Sequence, residues 1–303
     1  MSDSGRLMLI APSQLKKTPA FARAQALAKA QDLPLHIVAF DYVDSIATAG
    51  LVNERALEDM REGYLDRHRE WLEQLALPMR HAGIHVTTEV LWVQRPLDEL
   101  MEHIRELQPS LVIKDLEHES WLTRILFTSL DVRLLHDSPV PLHLVADVEH
   151  PLPRRIVAAV DPFLPEEQYE GLNESIIAAA NKLATQCNAE LHLLYAYDLS
   201  YIFGAEGDMD FTTEFIDSVY AVEREAFDLL ASRYGVPDDR KHMVMGSPAR
   251  VITTFARSET VDITVMGTVH RGPGRKWLGS TTEHVAHHLH GSLLAVNPRQ
   301  IGW

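Results

Sequence analysis

The chain repeats itself. Leu7-Met8-Leu9-Ile10-Ala11-Pro12 lies over Val157-Ala158-Ala159-Val160-Asp161-Pro162, about 150 residues later, which is one common domain length. Leu35-His36-Ile37-Val38 matches Leu191-His192-Leu193-Leu194, and an acidic residue, Asp41 or Asp198, follows each. Arg95-Pro96-Leu97 matches Ser247-Pro248-Ala249, Leu111-Val112-Ile113-Lys114-Asp115 matches Ile263-Thr264-Val265-Met266-Gly267, and 139–145 matches 291–297. Five blocks in one order at nearly constant offset mark a duplication. The 303 residues therefore divide into domains 1–148 and 149–303, joined near the Pro-rich stretch His150-Pro151-Leu152-Pro153.

Each half reads as strand and helix in alternation. Short apolar runs predict strands at 7–10, 35–40, 85–91, 111–113 and 142–145, then at 155–160, 190–196, 240–245, 263–266 and 293–296. Continuous apolar runs, rather than alternating ones, suit strands covered on both faces, as in a parallel sheet. Helical spacing of apolar residues marks 19–30, 53–82, 174–187 and 212–234. The fold class is α/β: two tandem, doubly wound, parallel five-stranded sheets.

Composition narrows the function. A net charge of −15 and scattered basic residues disfavour nucleic acid and anionic lipid as partners. No apolar run approaches membrane-spanning length, and 7–11 is too brief for a signal-peptide core. The single cysteine, Cys187, excludes an internal disulfide and reads as a small residue near the end of a helix. A cytoplasmic location is expected.

In doubly wound sheets ligands bind beyond the carboxyl ends of the strands. In the second half those ends carry Asp161, Ala196-Tyr197-Asp198, Gly246-Ser247-Pro248 and Met266-Gly267. A Gly-rich stretch follows, from Gly267 through His270, Gly272 and Gly274 to Gly279-Ser280-Thr281-Thr282. Glycines let the backbone approach an anion, and the first-turn N–H groups of the next helix have no intrahelical partners. An ordinary capped loop is the bland alternative.

These residues resemble the signature of the universal stress protein family, and the order of elements carries the resemblance over essentially the whole chain. ATP-binding members have Gly, two residues, Gly, nine residues, then Gly-Ser or Gly-Thr, together with an Asp after the first strand. Asp161, Gly267, Gly279 and Ser280 match that pattern, and Gly246-Ser247-Pro248 falls at the family's Gly-x-Pro stretch. The subtype it is most similar to is the tandem E-type of proteobacteria.

The resemblance implies an adenine nucleotide alpha hydrolase-like fold and a ligand that is ATP or another adenine nucleotide, with Mg2+ as companion ion. Asp161 would accept a hydrogen bond from adenine or ribose, Ala196 and Met266 would flank the base, and Gly267, Gly279, Ser280 and Thr281 would receive phosphate. Two departures stand out: the second motif glycine is His270, and eight residues separate it from Gly279. In the first half the corresponding residues are Ala11, Asp115, Phe127 and Thr128, so nucleotide binding is expected in the second half alone. The family also implies pairing of the final strands, 142–145 with 293–296; whether the chain forms a homodimer stays open.

Other chemistry is weakly encoded. His284 and His288 stand one helical turn apart, but no sequence motif supplies a third ligand, so no metal site is assigned. Lys114-Asp115-Leu116-Glu117-His118-Glu119 reads as a polar loop. There is no nucleophile elbow, P-loop or complete dinucleotide fingerprint, so no catalytic residue is assigned. The expected function is a non-enzymatic, nucleotide-binding stress protein, with a nucleotide-independent scaffold as the alternative and slow ATP hydrolysis last.

Overall fold

The computed structural model describes residues 5–12, 14–41, 54–93, 96–116, 130–146, 149–165, 170–198, 213–268, 280–289 and 291–298. The chain divides into two compact units, Met1–Val145 and Ala146–Gly302. Unit 1 contains β1 (Leu7–Ala11), α1 (Pro19–Gln31), β2 (Leu35–Asp41), α2 (Glu54–His81), β3 (Val86–Trp92), α3 (Pro96–Leu107), β4 (Leu111–Asp115), α4 (Leu130–Asp137) and β5 (Leu142–Val145). Unit 2 contains β6 (Arg155–Val160), α5 (Leu172–Cys187), β7 (Glu190–Tyr197), α6 (Thr213–Ser232), β8 (Lys241–Met245), α7 (Pro248–Ser258), β9 (Ile263–Gly267), α8 (Ser280–His288) and β10 (Ser292–Val296).

Within unit 1 the strand order is β3-β2-β1-β4-β5, and within unit 2 it is β8-β7-β6-β9-β10. The pairings described inside each unit are parallel. This is the doubly wound arrangement that the strand–helix alternation predicts. In β1, β2, β3, β4, β7 and β9 the carboxyl end runs one or two residues past the sequence-predicted run, because pairing carries on past the last apolar side chain. By contrast, β3 and β8 start one residue later than expected, Arg240 being in a 3-10 turn. Asp115, for instance, still pairs with Val145, and Gly267 with Val296.

The apolar strands are where burial is greatest. Every residue of β1, β5 and β10 is buried, as continuous apolar sequence requires when helices cover both faces of a parallel sheet. Helices α1 and α5 both end on an Asx residue in the left-handed region, Asp32 and Asn188, each at φ +53. Short polar side chains tolerate that conformation better than most. Cys187 is buried at the end of α5. Among the described residues no helix is long and apolar enough to cross a membrane.

One glycine is fixed by the fold itself. Gly291 enters β10 at φ +94, and a Cβ there would lie 2.5 Å from the carbonyl oxygen of Val261. Both the backbone conformation and the space demand glycine. Gly291→Ala is expected to lower unfolding free energy by about 3 kcal/mol through strain and overpacking, read from urea denaturation. A loss below about 1 kcal/mol, the level of an ordinary substitution, would contradict this packing.

Candidate functional site

The crossover directions of unit 2 reverse once. From β6 the chain passes through α5 to β7 and through α6 to β8, on one side. It then returns through α7 to β9, which pairs with the opposite edge of β6. The switch point therefore lies between the carboxyl ends of β6 and β9, where the connections diverge, the place at which ligands bind in sheets of this kind. Asp161 follows β6, and Gly267 ends β9.

Asp161 is held on both its backbone and its side chain. The Asn173 amide, in the first turn of α5, grips the backbone: Asp161 N–H donates to Oδ1 at 3.1 Å, and Nδ2 donates to the Asp161 carbonyl at 2.7 Å. The Phe163 N–H donates to Asp161 Oδ1 at 2.9 Å, an Asx-turn. The other carboxylate oxygen receives no donor among the described residues. Burial pushes the Asp161 carboxyl above the usual carboxylate range, opposed by the Phe163 N–H. Among the described residues no cation offsets that burial and no donor reaches the second carboxylate oxygen.

Gly267 and the start of α8 are joined by a residue outside the expected site. Thr282 is buried and its hydroxyl donates to the Gly267 carbonyl at 3.0 Å. This ties the first turn of α8, which Ser280 opens and Thr281 follows, to the end of β9. The Thr268 N–H is already used, donating to the Val296 carbonyl at 2.7 Å. A Cβ on Gly267 would fall 2.6 Å from Leu172 Cδ1, so the space a side chain would take is filled by the first residue of α5. Glycine here serves close helix–strand packing.

The remaining expected residues spread along the same rim. Ala196 is half-buried near the end of β7, paired with Val244. Gly246 follows β8 at φ +143 and donates its N–H to the Tyr197 carbonyl at 2.9 Å. Met266, one residue before the end of β9, is 5 % exposed. His270, Gly272 and Gly279 lie outside the described residues. A cavity of about 460 Å³ opens between Pro162, Leu164, Asn173, the α6 residues Leu229 and Leu230, and Arg233 just past the end of α6. Asn173 carries no motif in the sequence, and Thr282, whose hydroxyl the sequence offers as a ligand donor beside Ser280 and Thr281, is turned to the Gly267 carbonyl instead. A polar residue in the first turn after a strand-end Asp, and the third hydroxyl of Ser280-Thr281-Thr282, were the available signals.

Unit 1 fills the corresponding places differently. Asp115, at the Gly267 position, accepts hydrogen bonds from the Thr18 hydroxyl and, at 3.1 Å, from the Ala20 N–H. Its carboxylate thus caps the start of α1, where a helix favours negative charge. Lys114 pairs with Asp131 of α4 at 2.9 Å, both buried. The strand ends of unit 1 already hold their own anion and ion pair. The histidines singled out by spacing in α8 behave as a solvated face: His284 and His288 are exposed, their rings stack at 4.4 Å, and His288 Nδ1 lies 2.8 Å from the His284 carbonyl.

Comparison with known proteins follows the duplication. The profile described as the universal stress protein family matches residues 7–146 and again 153–297. The chain belongs to the universal stress protein family. It is a tandem member, with two such domains. It is 28 % identical over 299 residues to universal stress protein E of Escherichia coli K12, covering 97 % of this chain and 94 % of that one. It is 27 % identical over 299 residues to the universal stress protein E homolog of Haemophilus influenzae, covering 96 % of each. Among solved structures, a functionally unknown protein of Pseudomonas aeruginosa superposes with a TM-score of 0.72 at 24 % identity, covering 98 % of this chain and 94 % of that one. That last likeness is one of fold.

Two outcomes test this geometry. Gly267→Ala is expected to destabilise this universal stress protein by about 1–3 kcal/mol. Adding Leu172→Ala to that variant should cost less than the sum of the two single changes; simple additivity in the double-mutant cycle would show that the two do not touch. Because burial raises the Asp161 pKa, its charged form costs stability above that pKa, and the cost disappears as pH falls below the unfolded value near 3.8. Asp161→Asn is therefore expected to raise Tm at pH 7, with the gain shrinking toward pH 4. A variant less stable than wild type at pH 7 would contradict the assignment.

Proposed function

We propose that unit 2 binds an adenine nucleotide and that unit 1 does not. The observation that carries this is Asp161: a desolvated carboxylate, fixed by Asn173 and Phe163, with one oxygen lacking a described donor at the switch point. A group that lowers the stability of the empty protein at a strand-end switch point suits a binding role better than a structural one. An adenine amine or ribose hydroxyl is the complementary donor. The phosphates would lie toward the first turn of α8, where Ser280 and Thr281 contribute N–H groups and hydroxyls. ATP, ADP and AMP are the candidate ligands, with Mg2+ accompanying the larger two, and the role is that of a nucleotide-responsive stress protein.

A scaffold that needs no nucleotide is the second reading, and the Leu172 packing favours it: that contact explains Gly267 without a ligand. Equilibrium binding separates the two. ATP, ADP or AMP should bind wild type, and Asp161→Ala should weaken binding about tenfold to a hundredfold, the worth of a hydrogen bond to a charged group. Gly279→Phe should weaken it as well. Affinity unchanged in both variants, or absent from wild type, sinks the nucleotide reading.

A further inference from the structure

A cluster in unit 1 lies apart from the strand ends. His36 of β2, Glu89 of β3 and His103 of α3 bring one ligand atom each to a common point, the one such group among the described residues. His36 Nε2 is 3.4 Å from His103 Nε2 and 3.4 Å from Glu89 Oε2, and His103 Nε2 is 3.7 Å from the same oxygen. A zinc ion about 2.0–2.1 Å from each ligand spaces tetrahedral ligands about 3.3–3.4 Å apart. Three corners of that tetrahedron are therefore in place before any ion arrives.

The sheet register makes the arrangement. His36 pairs with Thr87 and Val38 with Glu89, which puts these side chains on one face of β2 and β3, the face from which His103 of α3 meets His36. His36 Nδ1 lies 2.8 Å from the Thr87 hydroxyl. With Nδ1–H donating there, Nε2 turns its lone pair to the cluster, the outer-shell contact by which metal-binding histidines are oriented. Phe40 stands edge-on to the His103 ring at 5.6 Å and forms an apolar wall. The Glu89 side chain is 40 % exposed and His103 17 %, so water can reach the fourth position. Arg6 is close enough to be felt at His36, and the Glu89 carboxylate supplies the opposing charge.

The duplication provides an internal comparison. In unit 2, His192 occupies the His36 position of the repeat, His242 sits opposite Leu194 as Glu89 sits opposite Val38, and Phe255 is the eighth residue of α7 as His103 is of α3. There the two histidines bond to each other at 2.9 Å, and Phe255 packs on His242 at 4.6 Å between ring centroids. Unit 2 thus lacks the carboxylate and the second-helix imidazole at these positions.

The geometry points to a divalent transition-metal site in unit 1, formed by His36, Glu89 and His103 with an open fourth position and taking Zn2+. Two imidazoles and one carboxylate suit zinc and its neighbours, whereas Mg2+ favours all-oxygen ligands. The site is independent of the nucleotide reading of unit 2.

The test uses the full-length protein, stripped with EDTA, dialysed and titrated with ZnCl2 by calorimetry. Tetrahedral Co2+ absorption reports the coordination. One Zn2+ per chain is expected, raising the Tm of wild type. His103→Phe installs the residue that unit 2 already tolerates, and Glu89→Gln alters a partly exposed side chain, so metal-free melts should show both variants folded. Each should weaken Zn2+ binding at least tenfold and abolish the Co2+ band, and Thr87→Val should weaken binding about tenfold. The proposal is overturned if wild type binds no Zn2+, or if binding survives unchanged in both His103→Phe and Glu89→Gln. Loss of binding in His242→Ala instead, or Mg2+ bound as tightly as Zn2+, would overturn it too.

Discussion

The pairing of β6 with β9 is the constraint on which the functional end of unit 2 depends. Each of these strands is apolar enough to be covered on both faces, so they can only sit inside the sheet. The chain reaches β9 after building outward through β7 and β8, and the return to the far edge of β6 puts the switch point between the two strand ends. Everything placed there inherits its position from that pairing. Asp161 continues β6, Gly267 terminates β9, and the Thr282–Gly267 bond brings the start of α8 to the same rim.

The two units share one strand order but differ at a few strand-end residues in charge and size. Where unit 2 has Gly267 and Met266, unit 1 has Asp115 and Lys114. Asp115 spends its charge on the first turn of α1, and Lys114 is neutralised by Asp131 inside the unit. A further anion there would meet a carboxylate already in place. Where unit 1 has Ala11, unit 2 has Asp161, whose carboxylate is engaged by one N–H among the described residues. The asymmetry is thus local, and the surrounding sheets stay alike.

Much of this was legible in the chain itself. The repeated blocks and apolar runs give two α/β units and nearly all element positions, because burial on both faces leaves a direct imprint on sequence. Strand ends such as Asp115 and Gly267 were less legible, since backbone pairing continues where the apolar pattern stops. At the candidate site the motif positions could be read from sequence but not the contacts that hold them: Asn173 and Thr282 bond through their side chains to backbone, which no spacing rule encodes. Sequence spacing is a poor guide to which histidines meet. His284 and His288, one turn apart, stack in solvent, whereas His36, Glu89 and His103 converge from three elements through sheet register. Glycine carried a double meaning, because Gly267 fits a phosphate motif and also the Leu172 contact that fills the space beside it.

The central claim is that one chain holds one nucleotide, at Asp161. Native mass spectrometry of the intact protein titrated with ADP measures this stoichiometry directly. The account predicts a single added nucleotide on wild type, and none on Asp161→Ala at the same concentration. Two nucleotides per chain, or one that persists in the Asp161 variant, would contradict it.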